Sequence, residues 1–253
     1  MEQSRRPPVP SMPSAQDSPL GPLPIADPEA SRRVPITREE LVVVSDPGSQ
    51  HAEQFRALRN SIVALNPDNA PRTVVLTSAL RGEGKTTATL NLAFALAETP
   101  GAKVLVIDAN LHAPSIEESL GVARAQGLCE LLGGRIAPDQ ALRPTSLSGV
   151  SFIGPGAKPP KPSEVLASDR MRALLRSLKQ RFNYVLIDTP ETTTTSDAAL
   201  LAALADGVVL VVRMGETPKS FVDQACRTLE AMGANLLGTC LTGADLPDTA
   251  KRR

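Results

Sequence analysis

The chain has 253 residues, 42% of them hydrophobic, which fits one sizeable α/β domain better than two small ones. Its 27 basic and 27 acidic residues give a formal net charge of zero, so net charge gives no support to non-specific nucleic-acid binding. Three scattered cysteines lack the spacing of a metal site or disulfide framework, and no run approaches the roughly 20 apolar residues that span a bilayer, so we expect a cytoplasmic protein without a membrane span.

The first 40 residues are rich in proline and carry almost no periodic apolar signal. They contain nine of the 23 prolines, together with many serine, glutamine and arginine residues. Such a segment cannot bury enough apolar surface to offset the entropy of ordering, so we predict a disordered tail at 1–40. The folded domain is expected at 41–243, followed by a short basic tail at 244–253.

The predicted domain opens with a strand at 41–44 and a helix at 50–64. On that helix Glu53, Arg56 and Arg59 recur at a spacing of three and share one face. From spacing alone, these charges indicate a solvated face that carries an i,i+3 ion pair.

The next element is a phosphate-binding loop between a strand and a helix. A β-branched strand at 74–77 leads to a turn with Gly82, Gly84 and Lys85, and a helix rich in Ala and Leu opens at Thr86. Glycines let consecutive backbone N–H groups surround phosphate oxygens, and the helix N-terminus adds partial positive charge at the same point. Lys85 would reach the β- and γ-phosphates, and the Thr86 hydroxyl would ligate Mg²⁺.

The remainder of the domain alternates strands with helices. Further strands are predicted at 103–108, 150–153, 184–188, 207–212 and 236–241, and further helices at 127–132, 169–182 and 217–232. Asp169 and Thr217 are the expected N-caps of the last two helices. The only tyrosine, Tyr184, is interpreted as a core residue rather than a phosphate acceptor. The pattern predicts an α/β fold of the P-loop NTPase type, with a mainly parallel sheet and helices on both faces.

Two of the buried apolar strands end in a carboxylate. Asp188 follows the run YVLI and has the form of a Walker B acid, and Asp108 ends the run KVLVI. Carboxylates at neighbouring strand ends are well placed to hold a metal beside the phosphate loop. The alternative for either aspartate is a cap of the following loop or helix.

The order of six motifs resembles the bacterial tyrosine kinases of capsule and exopolysaccharide biosynthesis, which belong to the deviant-Walker P-loop ATPases. The motifs are EQFRALR at 53–59, TSALRGEGKTT at 77–87, VLVIDANLH at 104–112, GLCELLGG at 127–134, PSEVLAS at 162–168 and VLIDTPE at 185–191. The resemblance covers roughly 41–243.

The resemblance implies a binding site for ATP and Mg²⁺. It implies catalytic roles for Lys85, Asp108 and Asp188, and metal ligation by Thr86 with the two aspartates. The nucleotide-binding residues that it implies are Leu80, Arg81, Gly82, Glu83, Gly84, Lys85, Thr86 and Thr87.

The resemblance also implies partners. Glu53, Arg56 and Arg59 match an ExxRxxR helix through which family members assemble into rings, so a homo-oligomer is expected. A membrane-embedded polysaccharide co-polymerase would recruit the protein to the inner face of the membrane. Leu80 stands where partitioning ATPases carry a signature lysine, which favours the kinase branch, and no nucleic-acid partner is expected.

Several positions depart from the family pattern. The family's D-x-D-x-R motif here reads Asp108, Asn110 and His112, and an amide cannot accept a proton as a carboxylate does. Glu191 replaces a proline, and Thr242 replaces an asparagine that reads adenine. The sequence ends LPDTAKRR, without the family's tyrosine cluster.

These departures leave three functions open. They are a tyrosine kinase with weakened or redirected activity, a non-catalytic ATP-dependent oligomerisation switch, and a partition-type ATPase. We expect Asn110→Asp to raise ATP hydrolysis.

Overall fold

The computed structural model describes residues 38–244, so the tails predicted at 1–40 and 244–253 lie almost entirely outside the described residues. Within this range, one sheet contains β1 (Arg72–Ser78), β2 (Val104–Asp108), β3 (Arg143–Pro144), β4 (Val150–Ile153), β5 (Tyr184–Asp188), β6 (Gly207–Arg213) and β7 (Leu236–Thr242). The strand order is β3-β4-β2-β5-β1-β6-β7, and β3 pairs antiparallel with β4 while the other neighbours are parallel. The predicted α/β class and mainly parallel sheet are confirmed.

Helices cover both faces of the sheet. They are α1 (Val42–Ser45), α2 (Gln50–Ala64), α3 (Lys85–Ala97), α4 (Ile116–Ser119), α5 (Leu128–Leu132), α6 (Pro138–Ala141), α7 (Pro162–Leu166), α8 (Asp169–Leu178), α9 (Asp197–Ala202) and α10 (Lys219–Ala231). Residues of α1 to α4 pack in the core on one face, and residues of α5 to α10 pack in the core on the other. None of these helices is long and apolar enough to cross a membrane.

The two central strands bring the two predicted metal acids together. Every residue of β2 and β5 is buried, as expected for strands covered on both faces. They pair in parallel with Asp108 opposite Asp188. Tyr184 at the start of β5 is buried, and its hydroxyl accepts a hydrogen bond from Asn66 Nδ2 at 3.4 Å, which confirms it as a core residue.

The strand predicted at 41–44 is wrong, because this segment forms the short helix α1. The side chain of Asn91, in the middle of α3, accepts the Val43 N–H at 3.1 Å and donates to the Glu40 carbonyl at 2.9 Å. Leu41 and Val43 are buried against the neighbouring helices. The backbone of this segment therefore bonds to a polar side chain of α3 instead of to a neighbouring strand. These contacts outweigh the preference of its valines for β structure.

The N-cap predicted for α8 is also wrong by one residue. The hydroxyl of Ser168 accepts the N–H of Met171 at 3.3 Å, so Ser168 is the cap and Asp169 is the first helical residue. The helix ends at Leu178 rather than at 182. By contrast, α2, β4 and β5 have the predicted bounds. The unpredicted helices α4, α6, α7 and α9 have at most six residues each, too few for a clear period.

Candidate active site

The loop between β1 and α3 has the backbone of a phosphate-binding turn. Gly82 and Gly84 have φ values of 83° and 84°, in the left-handed region that disfavours residues with a Cβ. A Cβ on Gly84 would also lie 3.5 Å from the methyl group of Thr242. The helix begins directly afterwards at Lys85, so its free N–H groups face the loop.

Glu83 links the loop to two neighbouring segments, the one before α10 and the end of β7. Its carboxylate accepts the Leu80 N–H at 3.0 Å and the hydroxyl of Thr217, while its backbone carbonyl accepts the Thr242 hydroxyl at 2.7 Å. Thr217 therefore does not cap α10 as predicted, and that helix starts at Lys219. The structure places Thr242 against the loop backbone. Of the remaining predicted loop residues, Arg81 is exposed and Thr87 is half-buried.

Lys85 is buried at the mouth of the loop. Its Nζ donates to Ser78 Oγ at 2.9 Å and lies 3.8 Å from a carboxylate oxygen of Glu191. Burial opposes ionisation of Glu191, but the hydroxyl of Thr194 and the charge of Lys85 outweigh it and lower the pKa of Glu191. Glu191 thus occupies a position beside the lysine that a phosphate would need.

Thr86 and Asp188 are in direct contact. The Thr86 hydroxyl donates to Asp188 Oδ2 at 2.6 Å and lies 2.8 Å from the hydroxyl of Ser115. The other oxygen, Asp188 Oδ1, is buried and has no hydrogen-bond partner among residues 38–244. A buried carboxylate oxygen without a partner is costly, and a bound cation would satisfy it.

Asp108 organises the loop that follows β2. Its carboxylate accepts three backbone N–H groups, from Asn110 at 3.2 Å, Ser115 at 3.1 Å and Ile116 at 3.0 Å. Burial and the charge of Asp188 raise the pKa of Asp108, and the three N–H groups only partly offset this. Asp108 therefore acts as a loop cap, the alternative open from its sequence, while it also faces Asp188.

The two aspartates form an electrostatically strained pair. Burial raises the pKa of Asp188, although the Thr86 hydroxyl and the Lys85 ammonium group lower it in part. No cluster of three or more His, Cys, Asp or Glu side chains suited to a metal lies within 38–244. Two carboxylates and a hydroxyl nevertheless fit Mg²⁺, which keeps several waters and takes its other oxygens from substrate phosphates.

A histidine–aspartate pair lies beyond the same end of the sheet. His112 Nε2 is 3.0 Å from Asp197 Oδ2, and the hydroxyl of Ser163 donates to the other oxygen of Asp197. The side-chain oxygen of Asn110 accepts the Ala113 N–H at 3.1 Å. Sequence reasoning gave no role to Asp197, which lies on the short helix α9 outside every motif, or to Ser163 on α7, although Ser163 belongs to the motif at 162–168.

The residues expected for oligomerisation lie on α2, beside the C-terminal end of α3. Arg56 donates to both oxygens of Glu98 at 2.8 to 3.0 Å, and Arg59 donates to one of them at 2.7 Å. Glu53 pairs with Arg56 as the spacing predicted. Because Glu98 is the C-cap of α3, the arginines tether α2 to the end of the phosphate-loop helix, about 20 Å from its start.

Comparisons with known proteins agree with this arrangement. A family described as ParA, NUBPL iron-transfer P-loop NTPase, matches residues 69–241. The chain is 32% identical over 209 residues to the tyrosine-protein kinase YwqD of Bacillus subtilis, with 83% of this chain and 88% of that protein covered. It is 32% identical to the tyrosine-protein kinase etk of Escherichia coli K12 over 80% of this chain, but spans only 28% of that longer protein.

Two solved structures extend the comparison to three dimensions. The kinase domain of the Escherichia coli tyrosine kinase ETK has a TM-score of 0.78 and 31% identity, with 83% of this chain and 82% of that chain covered. The chimerical protein CapA2B2 has a TM-score of 0.76 and 32% identity, with 84% of this chain and 94% of that chain covered.

Proposed function

The chain belongs to the bacterial tyrosine kinases within the ParA-type P-loop NTPases, and from this premise we propose that it transfers the γ-phosphoryl group of ATP to tyrosine of another protein. One observation carries the proposal. Lys85, Thr86 and Asp188 converge at one end of the sheet, where Asp188 Oδ1 is buried without a partner among the described residues. Polar groups that converge beside a buried, unpartnered carboxylate oxygen favour a site for nucleotide and metal over a glycine-rich turn that binds no ligand.

Each residue has a distinct task. Backbone N–H groups of the predicted nucleotide-binding residues 80–87 surround the phosphates, and Lys85 neutralises charge that develops on the transferred group. Before it can do so, Lys85 has to leave the carboxylate of Glu191. Thr86, Asp188 and Asp108 are the residues that would hold Mg²⁺, which when bound would neutralise charge on the β- and γ-phosphates.

The proposed setting is the one that the family resemblance implies. The protein acts at the inner face of the membrane with a membrane-embedded co-polymerase in exopolysaccharide or capsule synthesis. Assembly into a ring uses Glu53, Arg56 and Arg59, whose charged groups are engaged within the chain in the structure. The ATP-binding domain is assigned to residues 41–243.

A second candidate is a nucleotide switch in which ATP drives oligomerisation without transfer to protein. It is favoured by Asn110, whose amide takes the place of a carboxylate in the family motif and is turned toward the Ala113 N–H. The kinase and the switch share the nucleotide site and differ only in the fate of the γ-phosphoryl group.

One assay separates the two candidates. Purified protein is incubated with labelled ATP, Mg²⁺ and a synthetic glutamate–tyrosine copolymer, in parallel with Lys85→Ala and with Lys103→Ala as a matched control at an exposed lysine. Label on copolymer tyrosine that disappears only in Lys85→Ala supports the kinase. ATP-dependent oligomerisation without label supports the switch, and absence of ATP binding by calorimetry contradicts both.

A further inference from the structure

The pair of His112 and Asp197 lies outside the set of residues that we assign to the nucleotide, and it has the construction of a proton-transfer device. Asp197 is completely buried, and its two oxygens are taken by the His112 ring and by the Ser163 hydroxyl. A buried carboxylate that accepts one ring N–H of a neutral histidine leaves the second ring nitrogen as a proton acceptor. The imidazole side chain is 37% exposed, so a substrate can approach it.

The loop that carries His112 is anchored at both ends to the nucleotide site. The loop begins at Asp108, whose carboxylate accepts the N–H of Ser115 at the other end of the loop. Ser115 in turn contacts the Thr86 hydroxyl. Between these ends, the side chain of Asn110 accepts the Ala113 N–H and closes a turn around His112. The histidine therefore has a defined position relative to the phosphate loop.

His112 also faces a cleft that an acceptor side chain could enter. The cleft has a volume of about 150 Å³ and is lined by the loop after β2, by Arg124 and by residues 155–158 after β4. Arg124 and Lys158 supply positive charge to its walls. The charged groups around His112 are thus Asp197, which contacts its ring, and these two cations, which line the same cleft.

The other side chains near the proposed nucleotide site are poorer proton acceptors. The amide of Asn110 cannot take a proton. Glu191 lies beside Lys85 and accepts the Thr194 hydroxyl, contacts that favour its ionised form and reduce its basicity. Asp108 and Asp188 are the residues assigned to the metal. Among these side chains, His112 alone has a basic ring nitrogen, is partly exposed and contacts a buried acid.

We propose, on the basis of the function proposed above, that His112 accepts the proton of the acceptor tyrosine hydroxyl and that Asp197 orients it. The tyrosine O–H bond breaks and the proton passes to Nδ1 of His112. The tyrosine oxygen forms a bond to the γ-phosphorus as the bond from that phosphorus to the β–γ bridging oxygen breaks, and ADP leaves. Asp197 stabilises the imidazolium ion until the proton passes to water.

The first test compares His112→Ala and His112→Gln with wild type on the glutamate–tyrosine copolymer. His51, the other histidine, is exposed on α2, so His51→Ala serves as the matched control. We expect transfer to fall about a hundredfold in both His112 variants, with calorimetric ATP affinity within twofold of wild type. Asp197→Asn should lower transfer about tenfold.

Two further readouts distinguish proton transfer from a merely structural contact. The wild-type rate should fall as pH drops, because protonation of the base removes its acceptor nitrogen, while the residual rate of His112→Gln should lose this acidic limb. Added imidazole should restore transfer in His112→Ala.

Three outcomes would overturn the assignment of His112. These are wild-type transfer by His112→Ala, an unchanged acidic limb in His112→Gln, and parallel loss of ATP binding in all His112 variants. A wild-type chain that binds ATP but labels no acceptor instead removes the kinase proposal, and the role of His112 falls with it.

Discussion

The two ends of α3 carry charged clusters of opposite character. At its first turn, Asp108 and Asp188 face each other, and burial above all raises the pKa of both. At its last turn, Glu98 is held by Arg56 and Arg59, and hydrogen bonding from Arg56 lowers the pKa of Glu98. Charges that are paired within the chain require no ligand, whereas two buried acids in conflict become favourable when a cation joins them. The difference separates the proposed metal site from an internal clamp.

Replacing one acid at the first turn should give the largest effect and should change function and stability in opposite directions. We expect Asp188→Asn to weaken Mg²⁺-dependent ATP binding about a hundredfold, because the proposed metal site loses a carboxylate ligand. Without nucleotide, the variant should melt about 2–4 °C higher, since removing one repelling buried charge returns ~1 kcal/mol. Calorimetry and thermal melts measure the two effects. Asp223→Asn, at an exposed position on α10, should change neither.

Neutralising the acid beside Lys85 should strengthen binding. In Glu191→Gln the lysine no longer has a carboxylate partner at 3.8 Å, so phosphate has no internal competitor. We expect ATP to bind about fivefold to tenfold more tightly, or ~1 kcal/mol, by calorimetry. Glu230→Gln on the exposed side of α10 is the control. Unchanged or weaker binding would show that Glu191 does not compete for Lys85.

Breaking the clamp at the last turn should lower stability and leave the nucleotide site intact. Glu98→Gln removes the carboxylate shared by Arg56 and Arg59. Because the Glu98 side chain is 31% exposed and screened by solvent, we expect a loss of only about 1 kcal/mol in the free energy of unfolding. ATP affinity should not change. Chemical denaturation of both proteins measures the difference, and a variant as stable as wild type at neutral pH would contradict the clamp.

The same variant gives a pH test with a definite sign. The pKa of Glu98 is lowered in the folded chain from an ordinary value of 4.5, so its stabilisation is fully present above about pH 4.5. It is lost as pH falls through the lowered folded value. Wild type and Glu98→Gln should therefore converge in stability in acid, and a gap that stays constant below pH 4 would contradict this linkage.

Restoring the carboxylate of the family motif at position 110 should have the smallest effect of these changes. Asn110→Asp keeps an oxygen that can accept the Ala113 N–H and adds a third acid near the first turn of α3. We expect ATP hydrolysis to rise a few-fold, because a carboxylate can accept a proton and an amide cannot. Asn110→Ala is the control, and an equal or lower hydrolysis rate in Asn110→Asp would argue against a catalytic role for this position.

Local patterns in the sequence predicted the elements that they determine. The apolar runs that end in Asp108 and Asp188 predicted two buried strands and their shared edge, because burial on both faces leaves a continuous hydrophobic run. The glycine pattern likewise predicted the loop that precedes Lys85. The segment at 41–44 was predicted wrongly because its fold depends on Asn91, a partner about 50 residues away in sequence.

The same limit applies to the charged clusters. Glu53, Arg56 and Arg59 show a pattern at spacing three, but nothing in that pattern indicates that Glu98 accepts both arginines across 39 to 42 residues. Asp197 lies 85 residues from His112, so their pairing follows from the packing of elements that are distant in the sequence. Contacts between distant residues of unlike elements leave no periodic signal.

The burial of Tyr184 has a practical consequence for the kinase assays. It is the only tyrosine among these 253 residues, and it sits in the central strand with 8% of its surface exposed. The folded chain therefore presents no phenol group to a neighbouring copy, and autophosphorylation on tyrosine should be absent from it. Phosphotyrosine in a reaction mixture then comes from the added acceptor alone, so no background from the chain itself has to be subtracted.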